Sequence, residues 1–381
     1  MNNGSVNVNT FWNKNFVLLI LSNIMLYIGV YMLFPVLHSR LIDNWGIASE
    51  KSVLISMGLF GVAMFLPGIF NNYLVDTFRR KNVCTTSILL FAVLGIAYPY
   101  AYELWMFYLL RVLQGALFGI AMMVTGSTLV IDVTPSACRN KANLAFALSG
   151  VLGTVIGIFG GAYTESGFSL EELIYISSAL NVLSYLLVSF IKVCFRAPMH
   201  VSLLSLDRFI LLRNVLPGIN MLTVPFILGT LIGYETDSFF YLCIAAGFIV
   251  FLLIPKDMLG KVDSRIKLVA GYFMLVVSVY ILNTGSGSIY ISGLLAGVGI
   301  PLAMYQYLNV MIKLPKHCER GTGYNTYQLM WDAGIISGCC VYMVYHCEQL
   351  SLTLLLCIIG VMLFMAFTYP YFQKILKERN S

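Results

Sequence analysis

The chain has 381 residues, 59% hydrophobic and only 10% charged. Soluble globular proteins carry about 25% charged residues, so a water-soluble enzyme or nucleic-acid-binding domain is excluded and lipid is the relevant solvent. The net charge of +6 sits in short segments between apolar runs, where it sets orientation.

The polar start runs directly into a full-length apolar segment, so no cleavable leader is expected. Apolar runs predict spans at 16–37, 52–75, 82–102, 104–130, 141–163 and 171–194 in the first half. The second half gives 209–233, 237–255, 266–283, 287–312, 321–346 and 350–373. Each run is continuous and about twice the length of a barrel strand, which predicts helices rather than a β-barrel. The expected fold class is an all-α membrane protein with twelve transmembrane helices. Residues 1–195 form a first six-helix bundle, 196–208 a cytoplasmic linker and 209–381 a second bundle.

Alternating the segments from a cytoplasmic N-terminus places 20 of the 23 cations on the inner side. Only Arg40 and Lys51 fall outside, and Arg111 lies within a span. This asymmetry predicts that both termini are cytoplasmic. The nine cysteines lack metal-type spacing and read as small apolar filler.

A charged hinge, Asp76 to Lys81, separates the second and third runs. Asp257, Gly260 and Lys261 repeat it in part 181 residues later. The same offset relates Arg139 to Arg320, Gly153 to Gly334 and Gly157 to Gly338. One membrane unit is thus written twice, a device of secondary transporters.

Three motifs carry a family resemblance over essentially the whole chain. The hinge Asn72-Tyr73-Leu74-Val75-Asp76-Thr77-Phe78-Arg79-Arg80-Lys81 keeps the Leu, Asp, Arg and Lys of a Gly-x-Leu-x-Asp-Arg-x-Gly-Arg-Lys signature. Arg111-Val-Leu-Gln114-Gly115 matches Arg-x-x-Gln-Gly, and Gly153, Gly157 and Gly161 match a third signature, with Ile158 in place of its proline. In these features the chain resembles the major facilitator superfamily, and within it the drug and small-molecule proton antiporters. The resemblance implies two bundles around a cavity open alternately to each side. It also implies that Asp76 latches onto the start of helix 11 near Gly321, or onto a nearby arginine. Arg80, Lys81, Arg139 and Arg320 are the accompanying gate cations. A mirror latch would set Asp257 and Lys261 against the start of helix 5 near Lys141.

Inside the spans, Asp332 and Arg111 stand out, because intramembrane charge is costly and marks function by default. Tyr324, Gln328 and Asp332 share one face of helix 11. A low dielectric favours a neutral carboxyl, which suits a group loading a proton on one side and losing it on the other. Packing alone is the alternative. Arg111, beside Gln114, would contact an anionic substrate group, tune a proton site, or serve structure through backbone carbonyls. Asn23, Tyr27 and Tyr31 form a stripe on helix 1; Asn220 on helix 7 and Tyr305 and Gln306 on helix 10 are further pathway candidates. Gly115, Gly119, Gly153, Gly157, Gly161, Gly334 and Gly338 allow close helix approach.

No Walker loop, metal cluster or catalytic constellation is legible, so no cofactor and no enzyme activity are expected. The expected function is proton-coupled efflux of a small organic molecule by a monomer in a bacterial inner membrane. An importer, an uncoupled facilitator and a non-transporting sensor are the alternatives. Partners are the substrate, protons and the bilayer, not nucleic acid.

Overall fold

The computed structural model describes residues 12–163, 167–193, 201–234, 237–254, 262–284, 289–316 and 319–380. Eight helices are long and apolar enough to cross a membrane: α1 (Lys14–Trp45), α2 (Ser49–Thr77), α4 (Leu104–Val133), α5 (Ser136–Ala162), α6 (Leu170–Ser189), α9 (Ser264–Thr284), α10 (Ile289–Lys313) and α12 (Gln349–Glu378). A ninth, α7, consists of Leu212–Met221 and Thr223–Tyr234 meeting at a 42° bend. The bend lies between Pro217 and Pro225, where missing N–H donors weaken the helix. α3 (Arg80–Ile96) and α8 (Ser238–Leu253) are shorter. α11 (Arg320–Tyr345) is long but carries a polar stripe. Among the described residues there are no strands.

Local chemistry sets the ends. Asn13 caps α1 by accepting from Phe16 N–H at 2.9 Å. The helix runs beyond the expected 37 to Trp45, because no breaker intervenes until Gly46, whose φ of 59° closes it. Ser169 and Glu172 form a reciprocal capping box on α6. α4 contains a π-turn at Thr125–Leu129. There Thr125, Ser127 and Thr128 bond back to the carbonyls of Ala121, Met123 and Val124, which competes with the regular ladder.

Packing follows the repeat. α1 packs on α5 and α6, α2 on α4, and α3 on α4 and α6. The same pairings recur six helices later: α7 with α11 and α12, α8 with α10, and α9 with α10 and α12. Glycines set the closest approaches. A Cβ at Gly153, Gly157 or Gly161 would overlap the α1 carbonyls of Ile24, Ile28 and Met32. Gly115 and Gly119 meet α2 carbonyls in the same way, and Gly338 meets that of Phe226 in α7. Gly334 lies against Pro225 of α7. Glycines 181 apart therefore seat α5 on α1 and α11 on α7. Large apolar side chains such as Val62, Phe190, Leu253 and Phe273 are exposed, as expected when the outer solvent is hydrocarbon.

Candidate functional site

The two halves meet where α11 lies against α2 and α4, and where α5 lies against α8 and α10. α11 also reaches α1. Asp332, fully buried, accepts from Tyr31 Oη at 2.7 Å and from Tyr27 Oη at 3.0 Å. Gln328 donates its side-chain amide to the Tyr27 hydroxyl. The four-residue spacing that puts Gln328 and Asp332 on one face therefore meets the same spacing on α1. The resulting polar contact crosses between the halves. Among the described residues no cation pairs with Asp332. It lies 12 residues into α11, about 18 Å along the helix at the standard rise.

Aromatic rings enclose this contact. Tyr27 and Tyr31 stack at 5.9 Å between centroids, and Phe118 of α4 lies edge-on to Tyr27. Tyr324 packs on Phe146 of α5 and over Gly126 of α4, where a Cβ would meet its ring. Tyr327 follows, stacked on Trp331. The Tyr324 and Tyr327 hydroxyls, the Trp331 indole N–H and the Gln328 carbonyl oxygen are buried without a hydrogen-bond partner among the described residues. Such groups are costly unless something else satisfies them, so the region has unspent polar capacity inside an aromatic wall.

Arg111 occupies a different place. It is fully buried, yet among the described residues its hydrogen bonds and ring contacts all lie in the first half, and Nε and Nη2 have no hydrogen-bond partner there. Nη1 donates to Gln114 Oε1 at 3.1 Å and to Tyr98 Oη at 3.4 Å. Its guanidinium lies 4.5 Å from the Phe60 ring centroid and 5.4 Å from that of Phe34, close enough for cation–π attraction. Gln114 also accepts from Tyr98 and donates to the Phe91 carbonyl. Depth was the sequence signal for Arg111, and depth does not say which helix a side chain meets.

Several expected pathway residues are engaged elsewhere. Asn23 donates to Phe146 O and Ser149 Oγ, tying α1 to α5. Asn220 joins Thr368, Tyr307 and Gly360 inside the second half. Tyr305 lies at the cation-rich end, with Lys267 6.0 Å from its ring centroid. Gln306 is buried and bonds its own helix at Leu302 O, leaving its carbonyl oxygen unpartnered.

At the cation-rich end Asp76 has two arginine partners. Arg80 reaches it at 3.3 Å and also forks onto Asp132 at 3.1 and 3.2 Å. Arg208, just before α7, reaches it at 3.0 Å. Of the two partners expected for Asp76, the arginine is the one found; the start of α11 at Gly321 abuts the Ser127 carbonyl instead. The Arg208 carbonyl accepts from Asn71 of α2 at 2.6 Å and from Asn325 of α11 at 2.7 Å, so it pins both halves. Arg208 holds a left-handed φ of 61° to do so. Among the described residues, the other expected gate cations show no ion pair between the halves. Lys81 caps α6 at the Ser189 carbonyl, and Arg80 stays within the first half. Arg139 and Arg320 have no ion pair among the described residues, and Arg139 Nε is buried without a partner. Asp257, Gly260 and Lys261 lie outside the described residues. Arg208, Asn71 and Asn325 have no motif to mark them, and Arg208 is simply one of the two arginines of the linker.

The family model described as Major Facilitator Superfamily matches residues 19–339. The multidrug resistance protein MdtH of Yersinia pestis is 24% identical over 278 residues, covering 69% of each chain. Among solved structures, the human organic anion transporter MFSD10 aligns with a TM-score of 0.70 at 14% identity, covering 92% of this chain and 98% of its own. A mutant of the nucleoside transporter NupG aligns at 0.65 and 13%, covering 95% and 100%. These two likenesses establish a shared fold, and the family match extends over most of the sequence. The chain belongs to the Major Facilitator Superfamily, as a multi-pass integral membrane protein of a transporter family.

Proposed function

We propose that this protein is a secondary active transporter that exports a small organic molecule in exchange for protons. In this reading twelve helices cross a bacterial inner membrane with both termini cytoplasmic. Residues 1–195 and 209–381 are the moving bundles, and the protein works as a monomer. The Asp332 contact carries the reading: a buried carboxyl on α11, with no cation partner among the described residues, is held by two hydroxyls of the opposite half. Any tilt of one half against the other changes those two bonds. Proton occupancy and bundle position are thereby linked through one group.

The aromatic wall of Tyr27, Phe118, Tyr324, Tyr327 and Trp331 is the proposed substrate surface. Its unpartnered hydroxyls and indole would serve the ligand's polar atoms. Asp76, Arg208, Asn71 and Asn325 form the proposed inner gate. Arg111 and Gln114 are proposed to hold the first half in shape rather than to touch substrate. Export is supported by similarity to a protein named for multidrug resistance.

The test is transport in proteoliposomes with an imposed pH gradient. Gradient-driven flux of a hydrophobic dye or drug is expected in the wild type, and Asp332→Asn is expected to abolish it while sparing substrate exchange. Gradient-driven flux that is unchanged in the Asn variant would remove the proton role.

A further inference from the structure

Just before α7, segment 205–211 runs between α2 and the first turns of α11 and bonds to both. On the α2 side, Ser205 N–H donates to the Ile69 carbonyl at 3.0 Å, and Asn71 donates to the Arg208 carbonyl at 2.6 Å. Arg208 Nε reaches Asn72 at 3.2 Å and Asp76 at 3.1 Å. On the α11 side, Arg208 N–H donates to Thr322 Oγ1 at 3.2 Å and Leu211 N–H to Thr326 Oγ1 at 2.8 Å. Phe209 is buried, and its ring occupies the place that a Cβ at Gly68 of α2 would take. Gly68 follows Pro67 in a tight 3-10 turn, Leu66–Phe70, so the residue without a side chain stands where the ring enters.

We propose that segment 205–211 is a strap that closes the cation-rich end, with Phe209 as its plug. The end opens when the Phe209 ring leaves the Gly68 notch, and the strap travels with α11. On the reading of Asp76 and Arg208 as a gate, on which this rests, the strap is the part that seals it. The direction follows from the chain: Leu211 leads directly into α7, and α7 packs on α11. The bonds to Thr322 and Thr326 therefore persist as the halves separate, and a bond kept in both states biases neither. The contacts with α2 exist only in the closed state and set its population. Among them the ring contributes most, because a partly exposed ion pair is worth little and a buried phenylalanine is worth more.

The experiment measures opening of the full chain in nanodiscs by double electron–electron resonance. Nitroxides are attached through ketone-bearing residues placed at Asn140 and Lys316, exposed positions on opposite halves at the cation-rich end. The nine native cysteines stay in place. Phe209→Ala is expected to raise the ratio of long to short distances roughly 10- to 100-fold, the effect of exposing one phenylalanine ring. Gly68→Ala fills the notch and is expected to act in the same direction. The double variant Gly68→Ala/Phe209→Ala is expected to open no further than Phe209→Ala alone, since ring and notch are one contact. Thr326→Val is expected to leave the ratio unchanged; a shift as large as that of Phe209→Ala places the parting surface at α11 and overturns the strap's direction. Asp76→Asn tests the gate separately. Opening in Asp76→Asn without opening in Phe209→Ala or Gly68→Ala overturns the plug and leaves the gate; unchanged distances in all three overturn both.

Discussion

Arg111 and Asp332 are both fully buried charges on long helices, and they are held in opposite ways. Among the described residues, the hydrogen-bond and ring partners of Arg111 come from its own half: Tyr98, Gln114, Phe34 and Phe60. The hydroxyls that hold Asp332 come from the other half, at Tyr27 and Tyr31. A relative movement of the halves leaves the first set intact and strains the second. Burial alone therefore does not say whether a polar group is tied to one half or shared between the two; the ownership of its partners does.

The largest expected effect separates the two sites by stability. Arg111→Ala opens a void and removes the guanidinium's hydrogen bonds and ring contacts, so it should cost about 2–5 kcal/mol. Arg111→Lys should recover little, because an ammonium cannot reproduce the planar fork over Phe60. Asp332→Asn keeps shape but turns one of the two acceptor oxygens into a donor, so it loses or reverses one tyrosine bond and should cost about 0.5–1.5 kcal/mol. Thermal unfolding in detergent checks this order, and equal losses at both sites would erase the distinction.

A double-mutant cycle sharpens the comparison next. Tyr27→Phe and Tyr31→Phe should each cost about 0.5–1.5 kcal/mol. Each should be coupled to Asp332→Asn and additive with Arg111→Lys, since only the former pair shares a contact. Coupling of Tyr31 to Arg111 through Phe34 would show that the aromatic ring contacts transmit more than packing.

The smallest stability effect belongs to the Asp76–Arg208 contact at the cation-rich end. Arg208→Gln removes a partly exposed partner of Asp76 and should cost about 0.2–1 kcal/mol at physiological salt. Its signature is local. Amide exchange in the first turn of α11 should accelerate, because Asn325 and Thr322 both bond the Arg208 backbone. Lys81→Gln, whose contact stays within the first half, should leave that exchange rate unchanged.

Much of the architecture was legible before any coordinates. Apolar run length located the helical runs, with most ends within a few residues; α1 runs eight residues further, to Trp45, α3 and α6 stop at Ile96 and Ser189, short of the expected 102 and 194, α12 runs on to Glu378, and α7 bends between two prolines. The 181-residue offset marked glycines that seat α5 on α1 and α11 on α7. The Tyr27–Tyr31 and Gln328–Asp332 stripes were each visible as four-residue spacing. That they face one another was not. Asn23, on the same α1 stripe, turns to α5 instead, because a stripe is wide enough to touch two neighbours. Asn220 satisfied the same criterion and is used up within its own half.

The sequence by itself determined the solvent, the helices and the repeat, because hydrophobic length, helix period and glycine spacing are properties of a single chain segment. Tertiary structure alone decided which buried polar groups bridge the halves, raising Asp332 and Arg208 above Arg111 and Lys81. The physical reason is that periodicity fixes the face a side chain occupies on its helix. Its partner, and hence whether a motion breaks the bond, depends on which helix packs against that face.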